Sequence, residues 1–284
     1  MGLLKMPSLE QISSITIQDT KISFSFAGRG EPILCFHGNP GTKSIFSNMM
    51  SKLENTNIKL IAPDRFGHNL TDELFSEKED LWQDTSIYAS LINAKLDKKG
   101  WILGYDYGCL TAIKIAIKYP DKVKGLILIN PYISPENPDD KLSSLPKFAK
   151  NFFIGTILGI FVPYDYETIF TKRITDTFSP EKPTEDYIDN SLQRIARFES
   201  ILAFINDNNT RIKIQNELKE EIKKISVPSF AVFGSKDAIT NIEKQKEIIS
   251  LIPNIKTEIS ESNGHFMPYL NPDYCIEFIK KAIF

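Results

Sequence analysis

The sequence predicts an α/β fold with a mostly parallel, doubly wound sheet and an inserted helical cap. Short apolar runs, of the kind that is buried on both faces of a sheet, alternate with stretches of helical period. This alternation stops from Pro131 to about Asn209, where proline-punctuated helical segments replace it, and then it resumes. A length of 284 residues suits one large domain or a core that carries an inserted subdomain.

The first part of the chain begins with a predicted β-hairpin at a sheet edge. Apolar and polar residues alternate over Ser14–Gln18 and Lys21–Ala27, on either side of Asp19 and Thr20. The apolar runs that follow predict four parallel strands, Pro32–Phe36, Ile58–Ala62, Trp101–Tyr105 and Val123–Ile129. The helices predicted between them are Ser44–Leu53, Asp80–Leu96 and Tyr107–Lys118.

The middle of the chain predicts a helical cap that interrupts one core. Its helical segments include Lys147–Ile160 and Thr184–Ile205, and we expect the apolar stretch Phe152–Val162 to line a substrate cavity. Residues 1–130 and 210–284 then form the core, and residues 131–209 form the cap. The elements predicted after the cap are strands Val227–Phe233 and Ile255–Ser260 and helices Asn241–Ile252 and Pro272–Ile283.

Composition excludes several classes of protein. The formal charge of −2 provides no long-range attraction for nucleic acid. Three cysteines, far apart and in no CxxC spacing, favour reduced thiols over a disulfide frame or a metal site. The first residues lack the pattern of a signal peptide, and Phe152–Val162 is too short for an integral membrane segment. We therefore expect a cytoplasmic protein with no metal.

The strongest chemical signal is the segment Gly104–Gly108, which has the form G-x-nucleophile-x-G. It lies between a predicted strand and a predicted helix, where flanking glycines let the two backbones approach closely around one strained residue. Asp106 occupies the nucleophile position. The alternative is that Asp106 is only a helix N-cap.

Two later strand ends carry the partners that a nucleophile needs. Asp237 follows strand Val227–Phe233, and His265 follows strand Ile255–Ser260. The carboxyl ends of parallel strands share one edge of a sheet, so these side chains should meet there. The order nucleophile, acid, histidine is the chain order of this type of triad. A lone histidine is more often structural, but the joint placement with Asp106 predicts a catalytic triad.

With these motifs the chain resembles the α/β-hydrolase fold family over nearly its whole length. Further motifs that carry the resemblance are Phe36–Gly41, Pro63–His68 and Gly234–Asp237. The resemblance implies a hydrolase without a metal or an organic cofactor. It also implies that the backbone amides of Asn39 and Tyr107 form an oxyanion hole, and that His37 and His68 shape loops.

An aspartate nucleophile restricts the reaction. Attack of a carboxylate on a carbonyl would give a reactive anhydride, whereas attack on a saturated carbon with a leaving group gives a stable alkyl ester. We therefore expect Asp106 to form an alkyl-enzyme ester. His265, oriented by Asp237, would then activate the water that hydrolyses it.

This chemistry resembles that of epoxide hydrolases and haloalkane dehalogenases. Epoxide hydrolases use cap tyrosines as proton donors, which makes Tyr164 and Tyr166 candidate substrate-binding residues, with Tyr132 or Tyr187 as a substitute for the second donor. Dehalogenases normally have Trp after the nucleophile, where this chain has Tyr107. The predicted function is hydrolysis of a small apolar epoxide, with a small apolar or amphipathic molecule as substrate class.

Three alternatives to this function stay open. The first is a haloalkane dehalogenase. The second is an esterase or lactonase in which His265 activates water directly and Asp106 is only an acid. The third is a small-molecule receptor on the same fold that has lost the chemistry.

Overall fold

A mostly parallel sheet of eight strands organises the chain. The computed structural model describes residues 10–69, 71, 82–134, 163–195 and 198–284. The strands are β1 (Gln11–Ile17), β2 (Thr20–Gly28), β3 (Glu31–Phe36), β4 (Ile58–Pro63), β5 (Gly100–Tyr105), β6 (Val123–Ile129), β7 (Ser229–Gly234) and β8 (Lys256–Ser260). Their order across the sheet is β1-β2-β4-β3-β5-β6-β7-β8.

The pairing of the strands confirms the predicted doubly wound sheet with a hairpin at one edge. β2 pairs in antiparallel fashion with β1 and with β4, and every other neighbouring pair is parallel. β5 lies at the centre and all six of its residues are buried, as expected for a parallel strand covered on both faces. The carboxyl ends of β3, β5, β6, β7 and β8 therefore lie along one edge.

Helices cover both faces of this sheet. In chain order they are α1 (Ser47–Met50), α2 (Trp82–Lys95), α3 (Gly108–Lys118), α4 (Pro163–Phe178), α5 (Glu185–Ile195), α6 (Phe198–Lys213), α7 (Gln215–Glu221), α8 (Ile242–Ile249), α9 (Met267–Leu270) and α10 (Pro272–Ile283). Alternate residues of β3 face opposite layers: Leu34 and Phe36 pack with α2 and α3, and Ile33 and Cys35 pack with α1 and α10. The core thus has two layers, one on each face.

The predicted helix Ser44–Leu53 is shorter and less regular than the sequence suggests. A 3₁₀ turn over Lys43–Phe46 precedes α1, and bonds from Lys52 N–H to Met49 O and from Leu53 N–H to Met50 O tighten the last turn. Thr42 supplies the N-cap. Buried Lys43 is held by an ion pair with Asp64, which fixes the start of this segment beneath the loop after β3.

Between β6 and β7 the described residues form helices α4 to α7. The single predicted helix Thr184–Ile205 is two helices, α5 and α6. α6 continues to Lys213, past the predicted cap boundary, because buried Phe204, Asn208 and Arg211 extend the helical spacing of its inner face. The predicted helix Lys147–Ile160 and the apolar stretch Phe152–Val162 lie outside the described residues.

Candidate active site

The turn after β5 holds Asp106 at the carboxyl edge of the sheet. Asp106 has a positive φ of 52°, and its N–H donates to the carbonyl of Ile129 at 3.1 Å. α3 begins at Gly108, where an added Cβ would lie 2.1 Å from the carbonyl oxygen of Phe36. A side chain at Gly108 would therefore separate α3 from β3. The sharp turn predicted from the sequence is present, with a buried aspartate at its apex.

The two carboxylate oxygens of Asp106 have different surroundings. Oδ2 accepts a hydrogen bond of 2.7 Å from the backbone N–H of Asn39. An added Cβ on Gly38 would lie 2.2 Å from the same oxygen, so the loop after β3 can approach Asp106 only with glycine there. Oδ1 is buried and has no hydrogen-bond partner among the described residues. It lies 3.6 Å from Nε2 of His265.

His265 is oriented by Asp237, as the strand-end positions predicted. Its Nδ1 lies 2.7 Å from Oδ2 of Asp237. That carboxylate is itself fixed, since its Oδ1 accepts from the backbone N–H groups of Ile239 and Thr240, and its Oδ2 accepts from the Thr240 hydroxyl. All three side chains of the predicted triad are thus together and buried. The carboxylate of Asp237 directs Nε2 of the imidazole toward Asp106.

Asn130 is a positioning residue that the sequence reasoning missed. It follows β6 directly, and its Nδ2 donates to the carbonyls of Gly264 at 2.9 Å and His265 at 2.7 Å. Its Oδ1 accepts from the N–H of Gly234 at 2.7 Å. Asn130 therefore ties the end of β7 to the loop that carries the histidine. Its place at a carboxyl strand end was the signal that could have identified it.

The charges of the triad shift the pKa values of its members. Burial alone would lower the pKa of His265, but the carboxylates of Asp237 and Asp106 outweigh it and raise this pKa to about 9. Burial would raise the pKa of Asp106, but the interaction with His265, the Arg173 charge and the Asn39 amide lower it below its ordinary value. Asp106 and His265 therefore form a buried ion pair at neutral pH.

A second polar cluster anchors the loop after β3. The Nε2 of His37 accepts from the backbone N–H of Arg65 at 2.9 Å, and the guanidinium of Arg65 donates to the carbonyls of His37 and Gly38. The same guanidinium pairs with Asp207 on α6 at 2.6 Å, and His68 Nε2 lies 3.3 Å from that carboxylate. Burial, followed by the charge of Arg65, lowers the pKa of both histidines. His37 and His68 are therefore structural groups, neutral at pH 7.

The remaining predicted site residues fall into three groups. Asn39 contributes its backbone amide, while its side-chain Nδ2 donates to the carbonyl of Phe204 on α6. Tyr107 is the N-cap of α3, directly after Asp106, and its ring lies 4.6 Å from the guanidinium carbon of Arg65. Tyr164 and Tyr166 belong to α4, but their side chains lie outside the described part of the structure.

A cavity of about 470 Å³ opens above Asp106. One wall is a cluster of four aromatic rings, Phe178, Tyr187, Phe266 and Tyr269, whose neighbouring centroids lie 4.7–5.2 Å apart. The described lining is otherwise largely polar; it includes Arg173, Asn48 and Asn190 together with several Ser and Thr side chains. This lining suits an amphipathic ligand better than a wholly apolar one.

Within the described ranges, no three or more His, Cys, Asp or Glu side chains are grouped so that they could hold a metal ion. No helix in those ranges has the length and hydropathy needed to cross a membrane.

Comparisons with known proteins agree with the architecture. A family model described as the alpha/beta hydrolase fold matches residues 31–272. The solved structure of the ligand-free epoxide hydrolase CorEH superposes with a TM-score of 0.77 at 20% identity, covering 96% of this chain and 98% of that one. This structural likeness shows the fold.

Two curated relatives differ in their named activities. The 2-(acetamidomethylene)succinate hydrolase of Mesorhizobium japonicum is 32% identical over 269 residues, which cover 90% of this chain and 89% of the relative. The cis-3-alkyl-4-alkyloxetan-2-one decarboxylase of Shewanella oneidensis is 28% identical over 142 residues, which cover 49% of this chain and 44% of the relative. The chain thus matches less than half the length of the second relative.

Proposed function

The chain belongs to the alpha/beta hydrolase fold family, and from this premise we propose that it is a hydrolase of the aspartate-nucleophile branch that opens an epoxide. The observation that carries the proposal is the asymmetry of the Asp106 carboxylate. Oδ2 is held by the Asn39 amide, whereas Oδ1 is buried without a hydrogen-bond partner among the described residues. The charged group facing Oδ1 is the imidazole of His265, whose Nε2 lies 3.6 Å away, beyond hydrogen-bond distance, so the lone pairs of Oδ1 can attack a carbon.

In the first step Oδ1 attacks a saturated carbon of the epoxide. The Oδ1–C bond forms as the C–O bond of the epoxide breaks, and the electron pair of that bond stays on the epoxide oxygen. The product of the step is an alkyl ester of Asp106, in which Oδ2 is the carbonyl oxygen. The lowered pKa of Asp106 keeps the attacking carboxylate ionised before the step.

The second step is hydrolysis of this ester. Ester formation removes the charge of Asp106, so one of the two carboxylates that hold the pKa of His265 at about 9 is lost. The pKa of His265 falls, so the imidazolium releases its proton to solvent, and the neutral imidazole then accepts a proton from water as that water attacks the carboxyl carbon. Collapse of the tetrahedral intermediate breaks the bond between the carboxyl carbon and Oδ1, and the departing diol oxygen takes the proton from His265. The amides of Asn39 and Tyr107 stabilise the oxyanion on Oδ2, typically by about 3 kcal/mol for each donor.

A proton donor for the epoxide oxygen is needed in the first step. Tyr187 lines the cavity together with Asp106, and we assign it this role. Its phenol gives a proton to the alkoxide, and the phenolate is reprotonated from solvent. Tyr164 and Tyr166 stay predicted donors on α4. Helices α4 to α6 would form the described part of the cap over this cavity.

Two contacts favour epoxide opening over halide release. In the dehalogenases that the chain resembles, an Asn side chain at this place helps to bind the departing halide, but here the Asn39 side chain donates to the Phe204 carbonyl at 3.1 Å. Tyr107 replaces the expected tryptophan, and its ring packs against Arg65 rather than offering an indole N–H. Comparison of halide release and diol formation on matched haloalkane and epoxide substrates distinguishes the two functions.

The test of the proposed function is to trap the ester. In His265→Gln the first step should proceed and the second should stall, so peptide mass spectrometry should find the epoxide mass added to the Asp106 peptide. The matched variant Asp106→Asn should show no adduct. Turnover by wild-type enzyme with no adduct in His265→Gln would overturn the proposal.

A second candidate function is direct hydrolysis of an amide or ester, with His265 activating water. The relative that is 32% identical over 90% of this chain favours it, because that relative is named as a hydrolase of 2-(acetamidomethylene)succinate. This function predicts no covalent adduct at Asp106 and no diol from any epoxide.

A further inference from the structure

Arg173 is the cavity residue that the proposed chemistry leaves unexplained. It lies on α4, is partly buried, and lines the same cavity as Asp106. It is also the one Lys or Arg in the described lining of that cavity. Its charge acts on Asp106, whose pKa it helps to lower. A ligand in this cavity can therefore contact both the guanidinium of Arg173 and the proposed nucleophile.

The guanidinium of Arg173 differs from those of the two other arginines described near the site. Arg65 pairs with Asp207, and Arg211 donates to the Asn208 side chain. For Arg173 the described contact is with the ring of Tyr132, whose centroid lies 5.3 Å away, and no described carboxylate forms an ion pair with it. A partly buried cation that lines a cavity is stabilised when a ligand brings an acceptor.

The chemistry of the cavity narrows the class of that ligand. A planar guanidinium matches a carboxylate, which it can bind through two parallel N–H···O bonds. Asp106 and Asp186 also line the cavity, so the described lining carries two negative charges and one positive charge. The excess of negative charge in the lining would repel a ligand with two negative charges. A ligand with a single carboxylate can place that group against the positive charge of Arg173.

We propose that the substrate carries one carboxylate, which Arg173 binds while the reactive carbon lies at Oδ1 of Asp106. This inference rests on the proposed function and adds a substrate class to it, an epoxide with an acidic group. Arg173 thereby selects the substrate and orients it. The aromatic wall of Phe178, Tyr187, Phe266 and Tyr269 contacts the apolar part between the two ends.

The test compares carboxylates with their neutral isosteres. The probes are glycidate and its homologues with longer alkyl chains, each against the matching primary amide. Wild-type enzyme should prefer the acid. In Arg173→Gln the KM for the acid should rise about tenfold or more, the range expected for loss of a charge-assisted hydrogen bond, while the KM for the amide changes little. The KM of Arg173→Lys for the acid should lie between those of wild type and Arg173→Gln, because lysine keeps the charge but lacks the planar guanidinium.

Lys172→Gln is the matched control. Lys172 is the neighbouring residue, is exposed and pairs with Asp176 on the surface, so this variant removes the same charge from α4 without touching the cavity. It should keep the preference for the acid. If Arg173→Gln raises the KM equally for acid and amide, Arg173 does not recognise the carboxylate and the proposal is overturned. An unchanged preference for the acid overturns it as well.

A binding measurement separates this proposal from the proposed function. Titration calorimetry with glycerate and its homologues, against the corresponding hydroxy amides, needs no turnover. Acid binding that depends on Arg173, with no adduct at Asp106, would sustain the carboxylate site and remove the ester mechanism. An adduct that forms equally from acid and amide, with no dependence of binding on Arg173, would sustain the ester mechanism and remove the carboxylate site.

Discussion

Nε2 of His265 lies 3.6 Å from Oδ1 of Asp106, while Nδ1 of the same ring lies 2.7 Å from Asp237. The first distance is that of an ion pair, and the second is that of a direct hydrogen bond. One imidazole thus lies between two carboxylates, one that orients it and one that we propose as the nucleophile. The proposed cycle depends on removing the second charge when the ester forms.

The pKa of His265 should therefore depend on Asp106. Asp106→Asn removes one of the two charges that raise this pKa to about 9, so the pKa should fall; Asp237→Asn should lower it further, because the charge of Asp237 contributes more. NMR titration can follow this, since the chain has only three histidines. The lowered pKa values of His37 and His68 keep their signals apart from that of His265. An unchanged titration of His265 in Asp106→Asn would contradict the coupling.

Gly38 should be essential for activity although it provides no side chain. In Gly38→Ala the new Cβ would lie 2.2 Å from Oδ2 of Asp106, so the carboxylate or the loop must move. Displacement of a reacting group by about 1 Å costs on the order of 100-fold in rate, and we expect kcat to fall by at least about that factor. Gly41→Ala is the control in the same loop, where the nearest atom is 3.0 Å from the new Cβ. Equal activity of the two variants would refute this explanation.

The ion pair between Arg65 and Asp207 should contribute to the stability of the fold. Asp207→Ala leaves the buried guanidinium of Arg65 without its charged partner, which typically costs about 3 kcal/mol or more in free energy of unfolding. Asn206→Ala, at an exposed position on the same helix, is the control and should change this free energy little. Urea unfolding measures both. A loss in Asp207→Ala no larger than in the control would show that α6 does not depend on this pair.

Tyr187→Phe should slow epoxide opening but not halide displacement. An epoxide oxygen needs a proton as it leaves, and a positioned acid contributes about 100-fold or more to such a step, whereas a departing halide needs none. Stopped-flow alkylation rates on matched epoxide and bromide substrates measure this difference. Tyr119→Phe, at the far end of α3, is the control. If the rates on both substrates fell together, Tyr187 would shape the cavity without donating a proton.

The sheet and the proximity of Asp106, Asp237 and His265 could be predicted because their signals are local. β6 and α10 have the bounds that the apolar periods predicted. Asp106 follows β5 directly, Asp237 and His265 lie in the loops that begin at the ends of β7 and β8, and parallel strands bring such positions to one edge. Asn130 carried the same signal and was overlooked, although it holds the loop of His265.

The polar residues that line the cavity, and the ion pair between Arg65 and Asp207, could not be predicted in this way. Asp207 and Arg65 are 142 positions apart in sequence, and no period or motif of α6 indicates that they pair. Arg173 looks like an ordinary surface residue of α4 until the fold brings that helix over Asp106. The apolar stretch Phe152–Val162, which we expected to line a substrate cavity, lies outside the described residues and stays a prediction, while the described lining combines the aromatic wall with polar side chains.

A single turnover in heavy-oxygen water tests the central claim most directly. With enzyme in excess over substrate, the ester mechanism predicts that the label enters the carboxylate of Asp106, because water attacks its carboxyl carbon. The new hydroxyl of the product then carries an unlabelled oxygen from the enzyme. Mass spectrometry of the Asp106 peptide and of the product shows which of the two contains the heavy oxygen. Label in the product hydroxyl, with none in the peptide, would mean that water attacks the substrate directly and that Asp106 is not the nucleophile.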